Sequence, residues 1–200
     1  MLSEFQVFLR LGFEHIADPR GYDHILFVVA LCAGYQPRHW RKLLILVTAF
    51  TIGHSITLVL ATLRLITIND DLVEFLIPLT ILITSLINIV ASSPKEAGRV
   101  EVKPVRVLKY GLALAFGLIH GLGFSNFLRA LLGGEEGIAL PLVSFNVGLE
   151  LGQIFIVLAV LVVSFLMIRV TQMRRHDWVL VLSGATSGVA LMLLIERFFA

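Results

Sequence analysis

The sequence predicts an all-α protein, a polytopic membrane bundle of about six transmembrane helices preceded by an N-terminal amphipathic helix. Three observations predict it. Of 200 residues, 58% are hydrophobic and only 15% are charged, against roughly 25% charged in soluble domains. The mean hydropathy of +0.92 implies more apolar surface than one water-facing core of this length buries, so the excess faces lipid. The apolar residues also fall into runs close to the ~20 helical residues that cross ~30 Å of hydrocarbon.

Met1 to Ala17 sets Leu2, Phe5, Phe8, Leu9, Phe13 and Ile16 among Glu4, Arg10 and Glu14. That pattern predicts an amphipathic helix lying in the membrane interface, with residues 1–20 as an interfacial segment and 21–200 as one transmembrane domain. It has no basic start, apolar block and small-residue cleavage site of a signal peptide, so it is expected in the mature protein. Six spans follow at about 22–37, 42–66, 72–92, 105–127, 138–169 and 178–198. The first is short, as for a helix beginning below the interface. The fifth is long, and is expected to tilt or to break near Pro141, which has no amide hydrogen.

A formal charge of +2 is too small to indicate nucleic acid as a partner. The single Cys32 excludes an intramolecular disulfide and a cysteine metal cluster. Basic residues accumulate in cytoplasmic loops. Arg38, Arg41 and Lys42 follow span one; Lys95, Arg99, Lys103, Arg106 and Lys109 separate spans three and four; Arg169, Arg174 and Arg175 separate five and six. The other connections carry Arg64 and Arg129 beside Asp70, Asp71, Glu74, Glu135 and Glu136. Both termini are thus expected outside, in the periplasm of a bacterium, with the chain in the inner membrane.

Ionisable groups inside spans cost at least ~2.5 kcal/mol each and so mark function. Four stretches hold them. Gly12-Phe13-Glu14-His15 precedes Gly21-Tyr22-Asp23-His24, where Asp23 and His24 open a helix. Phe50-Thr51-Ile52-Gly53-His54-Ser55 places His54 in the middle of span two, with Thr51 one turn before it. Phe116-Gly117-Leu118-Ile119-His120-Gly121 lies in span four, where the glycines allow close backbone approach. In span five, Asn146, Glu150 and Gln153 fall at i, i+4 and i+7 and form one polar stripe. From midplane to outer leaflet, the six ionisable groups reach similar depths.

Imidazole and carboxylate without thiolate suit a divalent ion such as Ni²⁺, Co²⁺ or Zn²⁺. The candidate ligands are His15, Asp23, His24, His54, His120 and Glu150. Thr51, Ser55, Asn88, Asn146 and Gln153 are candidates for steadying them or lining the path. Plainer roles stand beside these. Any one histidine could bridge helices, and Glu150 could carry protons. Thr80, Thr84, Asn88 and Ser92 read as packing that could line a path, and His39 and His176 as solvated loop residues. Gly184 and Gly188 read as a close-packing face of span six.

Together the four stretches resemble the HupE/UreJ family of bacterial membrane proteins. The family's Gly-x-x-His and Gly-x-Asp-His-x-Leu-Phe are matched by Gly12, His15, Gly21, Asp23, His24, Leu26 and Phe27. Its Phe-Thr-x-x-His-Ser-x-Thr is matched at Phe50, Thr51, His54, Ser55 and Thr57, and its Phe-Gly-x-x-His-Gly-x-Gly-Phe at Phe116, Gly117, His120, Gly121, Gly123 and Phe124. Its Phe-Asn-x-Gly-x-Glu-x-Gly-Gln is matched at Phe145, Asn146, Gly148, Glu150, Gly152 and Gln153. Many relatives carry an acidic residue just before the position of Asn88, where this chain has Ile87.

The resemblance implies nickel or cobalt uptake. The leading expectation is a permease preferring Ni²⁺, then Co²⁺, as substrate, with the lipid bilayer and the metal ion as partners and an oligomer possible. His15, Asp23 and His24 would form an outer capture site, and His54, His120 and Glu150 an intramembrane site. The alternative is an intramembrane hydrolase that keeps Zn²⁺ on the same groups, with Ser55, Asn146 or Gln153 aiding the oxyanion. A sensing or structural subunit is a third reading. No nucleotide-binding motif occurs, so transport is expected to be passive or gradient-coupled.

Overall fold

The computed structural model describes residues 3–92, 103–132 and 137–199, excluding the side chains of 103–108 and Arg129. Lys95, Arg99, Glu135 and Glu136 lie outside the described residues, as do the side chains of Lys103, Arg106 and Arg129. Among the described residues the fold is entirely helical. Helix α1 spans Glu4–Ala17, α2 Tyr22–Ala33, α3 Trp40–Thr62 and α4 Asp70–Ala91. Then come α5 at Lys103–Gly123, α6 at Ser125–Leu132, α7 at Ala139–Thr171 and α8 at Arg175–Phe199.

The starts of α1 and α4 are locally encoded. Ser3 and Gln6 form a reciprocal capping box on α1, which satisfies two amides that the first turn leaves free. Asp18 then accepts from the amide of Arg20 at 2.9 Å, capping the single 3₁₀ turn Pro19–Gly21 that separates α1 from α2. Asn69 caps α4 in the same way, through Asp71.

Four helices, counting α3 with its leading 3₁₀ turn, are long and apolar enough to cross a membrane: α3, α4, α7 and α8. The α5–α6 pair, bent by 48°, makes up to a fifth. Only 33% of the most apolar window of α7 and 28% of that of α8 is buried inside the chain, so these helices turn most of their apolar surface outward, as lipid contact requires.

The first expected span is shorter than its hydropathy implied. Helix α2 stops at Ala33 after 12 residues, a rise of about 18 Å. Helix α1, for which the sequence suggested an interfacial position, packs along α7 and buries Phe8, Gly12 and Ile16. An apolar stripe serves equally well against lipid or against a neighbouring helix. A Cβ on Gly148 would strike Leu9 and Phe13, and one on Gly152 would strike Ile16 and Phe13. Four residues along α7 thus advance four along α1, so the two helices are parallel.

Helices α3 and α5 repeat this arrangement. Side chains at Gly117 and Gly121 would run into the backbone of Phe50 and of His54 respectively. Missing side chains here let backbones touch, as in membrane helix pairs generally.

Two further points differ. Of the tilt or break expected near Pro141, the break does not occur: helix α7 is continuous through it, and the proline sits in the first turn, whose amides have no helical acceptor to lose. Gly184 and Gly188 have open space where a Cβ would stand. Helix α8 instead meets α4 through Ser85 and Thr186, whose hydroxyls lie 2.7 Å apart.

Candidate metal centre

The parallel pairs bring four of the six histidines to one place. Rings of His15 and His24 stand 4.6 Å apart between centroids, those of His24 and His120 5.0 Å, His15 and His54 5.7 Å, and His24 and His54 6.0 Å. His54 and His120 are fully buried and His24 nearly so. The histidines of the expected outer and intramembrane sites therefore form a single cluster: the α1–α2 break returns His24 to the level of His15, and α3 and α5 supply the other two rings.

Two of the rings are held, each by a different device. Asp23 and His24 stand in the first turn of α2, where the helix dipole favours a carboxylate. Asp23 Oδ1 accepts from the His24 amide at 2.8 Å and from its Nδ1 at 3.0 Å, so the neutral ring carries its proton on Nδ1 and presents Nε2 as a lone pair. His120 Nε2 lies 2.9 Å from Thr80 Oγ1. The Thr80 hydroxyl proton is already given to the Ile77 carbonyl at 2.7 Å, so His120 must donate and Nδ1 is its lone pair. Sequence placed Thr80 in a packing stripe, and no local signal marked its role.

Five buried ring nitrogens lack any hydrogen-bond partner: His15 Nε2, His24 Nε2, both nitrogens of His54, and His120 Nδ1. A buried polar atom without a partner costs about 1–3 kcal/mol, so five in one cluster mark a place for a ligand. The rings converge without completing a coordination shell. Among the described residues no group of three His, Cys, Asp or Glu is set to hold a metal ion as it stands. Ligation at about 2.1 Å brings nitrogens to about 3.4 Å from one another in a tetrahedron, which requires ring rotations.

The remaining candidates divide. Glu150 is not among the imidazoles: its Oε1 accepts from Thr48 Oγ1 at 2.7 Å. Thr51 donates to Gln153 Oε1 at 2.8 Å, and Ser55 to Asn146 Oδ1 at 2.6 Å. The stripe on α7 thus pairs rung by rung with α3 instead of ringing the histidines, because i, i+4, i+7 spacing fixes one face and that face meets α3. Asn88 donates to the Ala30 carbonyl at 2.6 Å, tying α4 to the far end of α2. His176, expected to be solvated, donates from Nδ1 to the Ser92 carbonyl at 2.7 Å.

The sequence profile described as HupE / UreJ protein matches residues 1–198. The chain belongs to the HupE / UreJ family. Comparison with curated proteins gave no match, and comparison with solved structures gave none. The HupE / UreJ family is associated with nickel and cobalt transport, and with its apolar helices this member is a multi-pass membrane protein.

In this HupE / UreJ chain four phenylalanines of the motifs, Phe27, Phe50, Phe124 and Phe145, wall the cluster. Phe124, at the α5–α6 bend, lies 4.0 Å from the His15 ring and stacks on Phe145 at 5.1 Å. Phe27 and Phe50 each lie 5.1 Å from His120. An apolar wall of this kind lowers the local dielectric and strengthens every charge interaction inside it. Sequence showed these aromatics without their purpose.

Proposed function

We propose that the chain is a permease for a divalent transition-metal ion, Ni²⁺ preferred and Co²⁺ next, passing the ion through the four-histidine cluster. The observation that carries this reading is the set of five unpartnered imidazole nitrogens, two of them oriented as lone pairs by Asp23 and Thr80. Neutral nitrogen donors without thiolate match borderline divalent ions. Asp23 is the one carboxylate bonded to a cluster histidine among the described residues.

The alternative, an intramembrane zinc hydrolase, has less support from the geometry. Of the two carboxylates the hydrolase would draw on, Glu150 is engaged with Thr48 and Asp23 is bonded to His24. The basic residues Arg38, Lys42 and Arg175 support an inner-membrane orientation with both termini outside.

The test is Ni²⁺ uptake into proteoliposomes, with Co²⁺ and Zn²⁺ as competitors. Saturable uptake that is lost in His54→Ala is expected. No uptake of any ion by folded protein that retains stoichiometric Zn²⁺ overturns the permease in favour of the hydrolase.

A further inference from the structure

A cavity of about 340 Å³ lies between α2, α4 and α8 at the end of the bundle opposite the basic loops. Its wall carries Asp23, Glu74 and Glu196 with Arg20 and Arg197, three carboxylates against two guanidiniums. Asp23 is 30% exposed and yet bonded to His24, whose Nε2 is buried and unpartnered. One residue thus touches both the open cavity and the closed histidine cluster. Glu74, on the first turns of α4, pairs with Arg197, near the end of α8, at 2.7 Å, with both side chains half exposed. Pro78 also lines the cavity. Lacking an amide hydrogen, it cannot donate to the Glu74 carbonyl one turn earlier, so the α4 ladder lacks one bond there.

We propose that this cavity is the outer mouth of the metal path, taking a hydrated divalent cation, and that the Glu74–Arg197 ion pair is its latch. This rests on the permease reading. Opening the latch frees the Glu74 carboxylate toward the cation and removes the Arg197 charge from the way, and Asp23 then passes the ion to His24. Glu74 and Arg197 are specificity-determining residues in this scheme, outside the cluster itself.

The experiment uses the full chain with Leu193→Cys, a cavity-wall position; the native Cys32 is buried and serves as the unreactive background. Proteoliposomes are treated with a trimethylammonium or a sulfonate methanethiosulfonate. The cationic reagent is expected to react faster, by about fourfold more in Arg197→Gln and about fourfold less in Glu74→Gln, the effect of one unit charge about 5 Å away in water. Ni²⁺ is expected to slow the labelling, and complete labelling to stop uptake. Without any cysteine substitution, the KM for Ni²⁺ should fall in Arg197→Gln and rise in Glu74→Gln, with kcat little changed. Equal reaction with both reagents, or uptake that persists after complete labelling, overturns the mouth and leaves the permease standing. Ni²⁺-protected labelling in a protein that transports nothing overturns the permease and keeps the cavity as a cation site.

Discussion

Glu150 Oε1 accepts a hydrogen bond from Thr48 Oγ1 at 2.7 Å, across the α3–α7 contact and on the exposed side of α3. The carboxylate belongs to the same motif as the metal-family signature but not to the imidazole cluster. Glu150→Gln keeps a group able to accept from Thr48, so equilibrium Ni²⁺ affinity should be unchanged. Isothermal titration of purified protein checks this, and an affinity loss as large as that of His54→Ala would place Glu150 on the ion.

Thr80→Val removes the acceptor that sets the His120 tautomer while conserving shape. Outer partners of metal-binding histidines are typically worth about 10–100-fold in affinity, so a loss of about tenfold is expected with helicity unchanged by circular dichroism. Thr80→Ser, which restores the hydroxyl, should recover most of it. Full affinity in the valine variant would show that His120 finds its tautomer without Thr80.

Acidification should weaken metal binding. A ligating imidazole must be neutral, so protons compete with the metal ion for the ring lone pair. The sign is fixed by ligation: the metal-bound state holds fewer protons than the free state. The Kd for Ni²⁺ should therefore rise as the pH falls, and a Kd that stays constant until the protein itself unfolds in acid would rule out histidine ligands.

Gly148→Ala forces a methyl group into the Leu9 carbonyl and should push α1 from α7. Overpacking of this kind costs about 1–3 kcal/mol. Thermal unfolding in detergent should shift downward, and Ni²⁺ affinity should fall with it because His15 rides on α1. Gly184→Ala, facing open space, should change neither.

Pro141→Ala should be nearly silent in the same unfolding assay, within about 0.5 kcal/mol, as substitutions away from special features usually are. A large loss would mean that the first turn of α7 is held by the ring itself.

The amino-acid sequence by itself determined the helical class, the apolar runs, the amphipathic face of α1 and the residues that carry chemistry. Hydropathy and helical period are local properties, so Phe8, Gly12 and Ile16 announce a buried stripe, and Asn146, Glu150 and Gln153 announce a polar one. What covers a stripe is not local. Tertiary structure decided that α1 lies on α7, that the α7 stripe meets Thr48, Thr51 and Ser55, and that His15 and His24 join His54 and His120. The physical reason is distance along the chain. The α3–α7 rungs join residues 91 to 102 positions apart, and Thr80 reaches His120 across 40. Such pairings follow from which glycine-cut grooves fit which backbones, and that is a property of surfaces, visible only once the helices have been packed together.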